Sequence, residues 1–306
     1  MKFLPLIGIL LLAAPAALAQ TQAGTPAEAT ESVTATALRE RQMQDFVESR
    51  ATPSFRLGKL ERWERGLCPA AAGLKPALLQ FIVQRVKDIA AKVDAPVDNR
   101  ANCRVNVQIV FSSTPQKLVE YLRKNAEDYL GAHDTGTQAD ALARFNHPMQ
   151  SWYATATIDA RGGVHIDGAK KGPLQCLDIP ECKFMLDADS FNSTGTRLGD
   201  GLRTGIMNVV IIADRDKLVN HEIGALADAI AFLALAQPRS LDDCQPLPSI
   251  LNILAPDCPA TAPEISAVDL AYLRGLYHMR ADMMLTGQKG QILYHMKQAL
   301  GGVPGN

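Results

Sequence analysis

The chain has 306 residues, of which 47% are hydrophobic, 21% charged and 6% aromatic. That balance excludes a collagen-like, coiled-coil or wholly disordered polypeptide, and the length suffices to bury a sizeable core. Lys and Arg number 31 against 32 Asp and Glu, a net charge of -1. No positive excess is available for nucleic acid, and no polybasic run serves a membrane surface.

Lys2 supplies a short positive start, Phe3 to Leu12 an apolar stretch, and Ala17-Leu18-Ala19 a small-x-small cleavage site. This is the pattern of a Sec-type signal peptide over residues 1–19, which predicts a periplasmic or extracellular protein. No later stretch is long enough to span a bilayer, because Ile223 to Ala236 is interrupted by Asp228. Residues 20–44 are rich in Ala, Thr, Glu and Gln without an apolar period. They are expected to form a flexible linker ending in a short helix over Ala37 to Phe46. Residues 45–306 are expected to form one α/β domain.

In that domain Leu79, Ile82, Val86, Ile89 and Val93 recur at three-and-four spacing after Pro76, which predicts an amphipathic helix. Arg104 to Phe111 alternates apolar and polar residues as a half-buried strand does. Thr114-Pro115 is placed to cap a helix reaching Tyr129, and a weaker helix covers Thr137 to Phe145. Ser151 to Asp159 and Val164 to Asp167 flank Arg161-Gly162-Gly163 as a hairpin. Trp152 and Tyr153 in its first strand are candidate ligand-stacking residues. The bland alternative puts one ring in the core and the other in solvent.

Lys170 to Gly205 is loop-like. Its glycines at 195, 199, 201 and 205 match no phosphate-binding motif. Ile206 to Ala213 is nearly continuously apolar, a buried strand. Lys217 to Gln237 is an Ala-rich helix with Val219, Ile223, Leu226, Ile230 and Leu233 on one stripe. Ser266 and Asp269 form the capping box of a helix to His278. A last helix spans Ala281 to Leu300. The sum is an α/β fold with a mixed sheet.

Six cysteines, an even count behind an export signal, predict three disulfides. Of 15 possible pairings the sequential one is expected: Cys68–Cys103, Cys176–Cys182 and Cys244–Cys258. A zinc cluster is the alternative, but no CxxC pair is present.

Within the Ala-rich helix, His221-Glu222-Ile223-Gly224 resembles the opening of the active-site helix of metzincin-type metallopeptidases, H-E-x-x-H-x-x-G-x-x-H. In that motif two His one turn apart grip zinc and the Glu polarises its water. Pro248 to Asn252 resembles the segment of the family's Met-turn, and Glu264 to Tyr277 its closing helix. The resemblance covers about Ile206 to Tyr277 and implies a zincin-like domain. It is also similar to an exported bacterial family with the same degenerate helix. The second and third zinc ligands would fall at Ala225 and Ala231, the motif Gly at Asp228 and the Met at Leu251.

With two of three ligands replaced, the resemblance implies a fold that has lost its metal, and no cofactor is expected. The expected function is non-catalytic binding of a peptide, protein or glycan in the cell envelope. Ser151 to Asp159 is then a candidate edge strand for peptide addition. The alternative is a hydrolase using Glu222 as base, with His221 and ligands relocated from His133, His147, His165, His278 or His295 holding zinc. Asp228, a carboxylate inside an apolar helix, needs a buried partner.

Overall fold

A computed structural model describes residues 26–168, 192–194, 196 and 199–301. The expected signal peptide and the Cys176–Cys182 pair lie outside the described residues. Contacts divide the chain into two units, one ending at Arg39 and the other beginning at Glu40. The step falls within helix α1 (Pro26–Arg50). Where a linker with a short terminal helix was expected, the helix is 25 residues long. Ala, Glu, Gln and Arg carry little helical cost even without an apolar stripe. In the second unit Met43, Phe46 and Val47 on its last turns are buried, and Phe46 meets Tyr272 edge to face at 5.9 Å.

Six strands among the described residues form one mixed sheet. They are β1 (Glu61–Trp63), β2 (Pro69–Ala72), β3 (Val107–Ser112), β4 (Met149–Ile158), β5 (Val164–Ile166) and β6 (Arg203–Asp214). The order is β2-β3-β6-β4-β5. The 12-residue β6 is the spine. β4 runs antiparallel along one side of it, while β1 and β3 pair parallel with its first and second halves. β1 and β3 therefore lie end to end on its other side. Met207 and Asn208 apart, β6 from Thr204 to Asp214 is buried, as its apolar run requires when helices cover both faces.

One face carries the main core, with α2 (Pro76–Lys92), α5 (Ile223–Leu235), α6 (Ala267–His278) and α7 (Leu285–Ala299). The other carries a smaller cluster of Val119, Leu130, Trp152, Val210 and Ile212 under α3 (Pro115–Asn125) and α4 (Gly136–Leu142). The mixed-sheet α/β expectation is what the structure shows. Cys68–Cys103 and Cys244–Cys258 are disulfide-bonded. No helix among the described residues is long and apolar enough to cross a membrane.

Several boundaries differ from expectation. The helix expected to reach Tyr129 stops at Asn125, whose side-chain amide donates to the Tyr121 carbonyl (2.8 Å), and a 3-10 turn follows at Glu127–Leu130. Thr114 occupies its N-cap without a side-chain cap bond. The helix expected from Lys217 begins only at Ile223. Asp214 accepts from the backbone N–H of Asp216 (3.1 Å) and Lys217 (3.3 Å), a local turn that competes with helix. Val219, expected on the apolar stripe, is consequently 74% exposed.

The expected edge strand is not an edge along its whole length. β4 is paired with β6 throughout and with β5 at Ala156 to Ile158, and the Asp167 N–H donates to the Thr155 carbonyl. Trp152 and Tyr153 are both buried, on opposite faces, because both faces of the sheet are covered. Each settles its polar tip: the Trp152 indole donates to the Leu142 carbonyl (2.7 Å) and the Tyr153 hydroxyl to that of Leu233 (2.6 Å).

Candidate functional site

The first turn of α5 forms one wall of a cleft of about 490 Å³. Asn220, His221, Glu222 and Ala225 line this wall, and Asn252, Asp257 and Thr261 lie on the facing loop. His221 and Glu222, singled out by the sequence, are both exposed at the cleft. Glu222 is the N-cap of α5, and its side chain makes no cap bond. His221 precedes the helix in a turn closed by its own N–H on the Leu218 carbonyl (3.0 Å). His221 and Ala225 therefore do not form the helical i, i+4 pair of a zinc-gripping motif. Leu251, at the Met-turn position, is buried on a 3-10 turn (Ile250–Leu254) in the main core.

The facing loop is rigid for identifiable reasons. Cys244–Cys258 closes it across 14 positions. Asn252 is fully buried and makes four bonds. Its amide donates to the carbonyls of Gln245 (3.0 Å) and Ala260 (2.7 Å), and its oxygen accepts from the Gln245 N–H (3.1 Å) and the Arg50 guanidinium (3.3 Å). Asp269 accepts from the Ser249 hydroxyl (2.7 Å) and the Ile250 N–H (2.8 Å), so α6 is pinned to the same loop. Burial lowers the pKa of Arg50, against the opposing attraction of Asp269. Burial likewise raises that of Asp269, against the bonds it accepts. A preorganised wall of this kind reduces the ordering cost of binding.

The remaining sequence candidates lie elsewhere. Asp228 is fully buried, and its partner is Arg85 of α2. The guanidinium contacts both carboxylate oxygens, one through Nη2 at 2.9 Å, and the Ile265 N–H donates to Oδ2 at 2.7 Å. Asp228 thus joins α5, α2 and the segment leading into α6. Hydrogen bonding to Asp228 raises the Arg85 pKa. Nothing in the sequence pattern points to Arg85 across 143 positions.

Trp152 and Tyr153 line a second, separate cavity with Glu61. None of the five other histidines lines the cleft. His133 meets the Gly131 carbonyl, His147 pairs with Asp242, His278 with Asp94, and His295 stacks edge-on to His278. His165 is buried with Nε2 3.7 Å from Asp159. Among the described residues no group of three His, Cys, Asp or Glu is placed to hold a metal ion. Sequence reasoning missed Asn252 and Asp257, which enter the cleft through loop closure. The cysteine pair bracketing them was the available signal.

No protein-family model matches the chain, and no curated protein or solved structure matches it.

Proposed function

We propose that the chain is an exported, non-catalytic domain that binds a basic, extended segment of an envelope protein in the cleft at the head of α5. The observation that carries this reading is the charge of the cleft. Glu222 and Asp257 both line the opening together with His221, and among the described residues no Lys or Arg does. Two full carboxylate charges outweigh the roughly half positive charge at the start of α5. A ligand carrying Lys or Arg is therefore favoured over an acidic one. The two disulfides support an oxidising compartment. The zincin-like resemblance is consistent with a cleft kept after loss of the ligands at Ala225 and Ala231.

The test is fluorescence anisotropy of a labelled Lys/Arg-containing decapeptide and its Glu/Asp counterpart. The basic peptide is expected to bind more tightly, more weakly at high salt. Glu222→Gln with Asp257→Asn should weaken it roughly tenfold, an order set by charge-assisted contacts. Equal binding of the acidic peptide would refute the reading. Stoichiometric zinc by elemental analysis after a zinc soak, lost in His221→Ala, would replace it with the hydrolase. So would peptide cleavage lost in Glu222→Gln.

A further inference from the structure

Glu61 is the least expected residue of the core. It is a carboxylic acid on a three-residue strand, 4% exposed, with no hydrogen-bond partner for Oε1 among the described residues. Buried polar groups are nearly always paired, and an exception calls for a physical reason. Here the reason is space. Glu61 lines a cavity of about 250 Å³ whose other walls include Phe55, Ser151, Trp152, Tyr153 and Gln237.

The neighbouring cations are engaged elsewhere. Lys59 is held by Asp200 and the carbonyls of Leu202 and Asp282. Arg62 is held by Glu64 and the carbonyls of Tyr277 (2.7 Å) and Met279 (2.9 Å). Among the described residues, the titratable groups whose fields reach Glu61 are acids: Asp167 after β5, Tyr153 on β4, and Tyr272 and Tyr277 on α6. Asp167 already accepts from Thr155 (2.7 Å) and Thr157 (2.8 Å), and exposed Arg56 lies in its field. Gln237 places the cavity at the C-terminal end of α5, where the helix dipole is negative. Among the described residues no Lys, Arg or His lines the space.

A neutral polyol would have to bond a carboxyl surrounded by negative potential, and an anion would be repelled. A compact cation gains from the carboxylate and the negative helix end together. We propose that this cavity binds an alkylammonium group, with the Glu61 carboxylate as counter-ion and with Phe55 and Tyr153 among the lining residues. The group is that of a free primary amine or of a lysine side chain. Burial and the field of Asp167 push the empty-site pKa of Glu61 up to about 8. At neutral pH the free protein holds Glu61 protonated, so binding the ammonium ion expels one proton to solvent.

The experiment is titration calorimetry of the full chain with n-butylammonium, n-butanol and butyrate, repeated at pH 6.5 in buffers of different ionisation enthalpy. Nα-acetyl-lysinamide forms a fourth arm. Butylammonium should bind with release of close to one proton, butanol at least tenfold more weakly and butyrate not at all. Affinity should rise about tenfold per pH unit up to pH 8, one proton being exchanged per ligand. Glu61→Gln should abolish proton release and weaken binding at least tenfold. Phe55→Ala, at a position already 49% exposed, should weaken binding while leaving proton release intact. Tighter binding of acetyl-lysinamide assigns the group to a lysine side chain, and tighter butylammonium to a free amine. Butanol binding as tightly as butylammonium, an absence of proton release, or no binding in either amine arm would overturn the proposal.

Discussion

The bond between Arg85 and Asp228 allows a sharp test of how α5 is held. The Asp228 side chain is 1% exposed and that of Arg85 is 26% exposed. Replacing Arg85 with Ala removes two of the three donors to a carboxylate that cannot reach water, leaving the Ile265 N–H alone. Removing one partner of a buried pair costs about 3–5 kcal/mol. Partial exposure of Arg85 admits some solvent, so about 2–4 kcal/mol is expected. At this chain length that is a fall in Tm of roughly 3–7 °C. Asp228→Asn should cost less, about 1–2 kcal/mol. The amide oxygen still accepts from Ile265, no charge is left buried, and Arg85 can turn toward water. The replacement of the exposed partner therefore harms the fold more than neutralising the buried one. Joint replacement by Met at 85 and Leu at 228 should recover at least half of the Arg85→Ala loss. Urea unfolding of the four proteins measures this directly. If Asp228→Asn is as costly as Arg85→Ala, or if Arg85→Ala costs under about 1 kcal/mol, the burial argument is wrong.

Asn252→Ala breaks four bonds and strands the buried Arg50, so a loss of about 2–4 kcal/mol is expected, with weaker basic-peptide binding read by anisotropy. Removing the Cys244–Cys258 bond by a double Ser replacement should cost about 2–3 kcal/mol in thermal unfolding, the chain-entropy value for a loop of this length. Gly73 has φ +97°, and an added Cβ would stand 2.0 Å from the Phe111 carbonyl oxygen. Gly73→Ala should therefore cost more than about 3 kcal/mol or prevent folding, read by soluble yield and circular dichroism. Glu61 is raised from 4.5 in the unfolded chain to about 8 in the fold, so the folded state binds more protons between those values. Its contribution to stability is fully present below pH 4.5 and is lost as pH rises through 8. Glu61→Gln removes this dependence, so the stability of the variant relative to the wild type should climb across that window by on the order of 5 kcal/mol. A difference that stays flat with pH would show that Glu61 is ionised in the fold.

Much of the fold is written locally. The apolar period from Leu79 to Val93 appears as α2 with Ile82, Val86 and Ile89 fully buried, and Ser266 with Asp269 forms the capping box of α6. The hairpin around Arg161 to Gly163 pairs as the alternation demanded. Two of the three expected disulfides close between neighbouring cysteines. Apart from Cys68–Cys103, which spans 35 positions, each of these depends on residues close in sequence, so the pattern contains the cause. The sequence also drew attention to His221 and Glu222, and both stand at the cleft.

What the tertiary structure decided depends on groups far apart in the chain. One exception is local: the Asp214 side chain at the end of β6 captures the N–H groups of Asp216 and Lys217, and α5 begins only at Ile223. The partner of Asp228 was chosen by the packing of α2 on α5. Glu61 is buried because β1 pairs with β6 and Trp63, two residues on, reaches the Ala234 carbonyl across the core (2.7 Å). A three-residue strand carries too little periodicity to announce this. Burial is set by what covers a surface, and the covering elements here come from the far end of the chain. The pattern of a sequence therefore fixes which residues prefer to be buried, while the folded arrangement fixes which polar groups are buried against that preference.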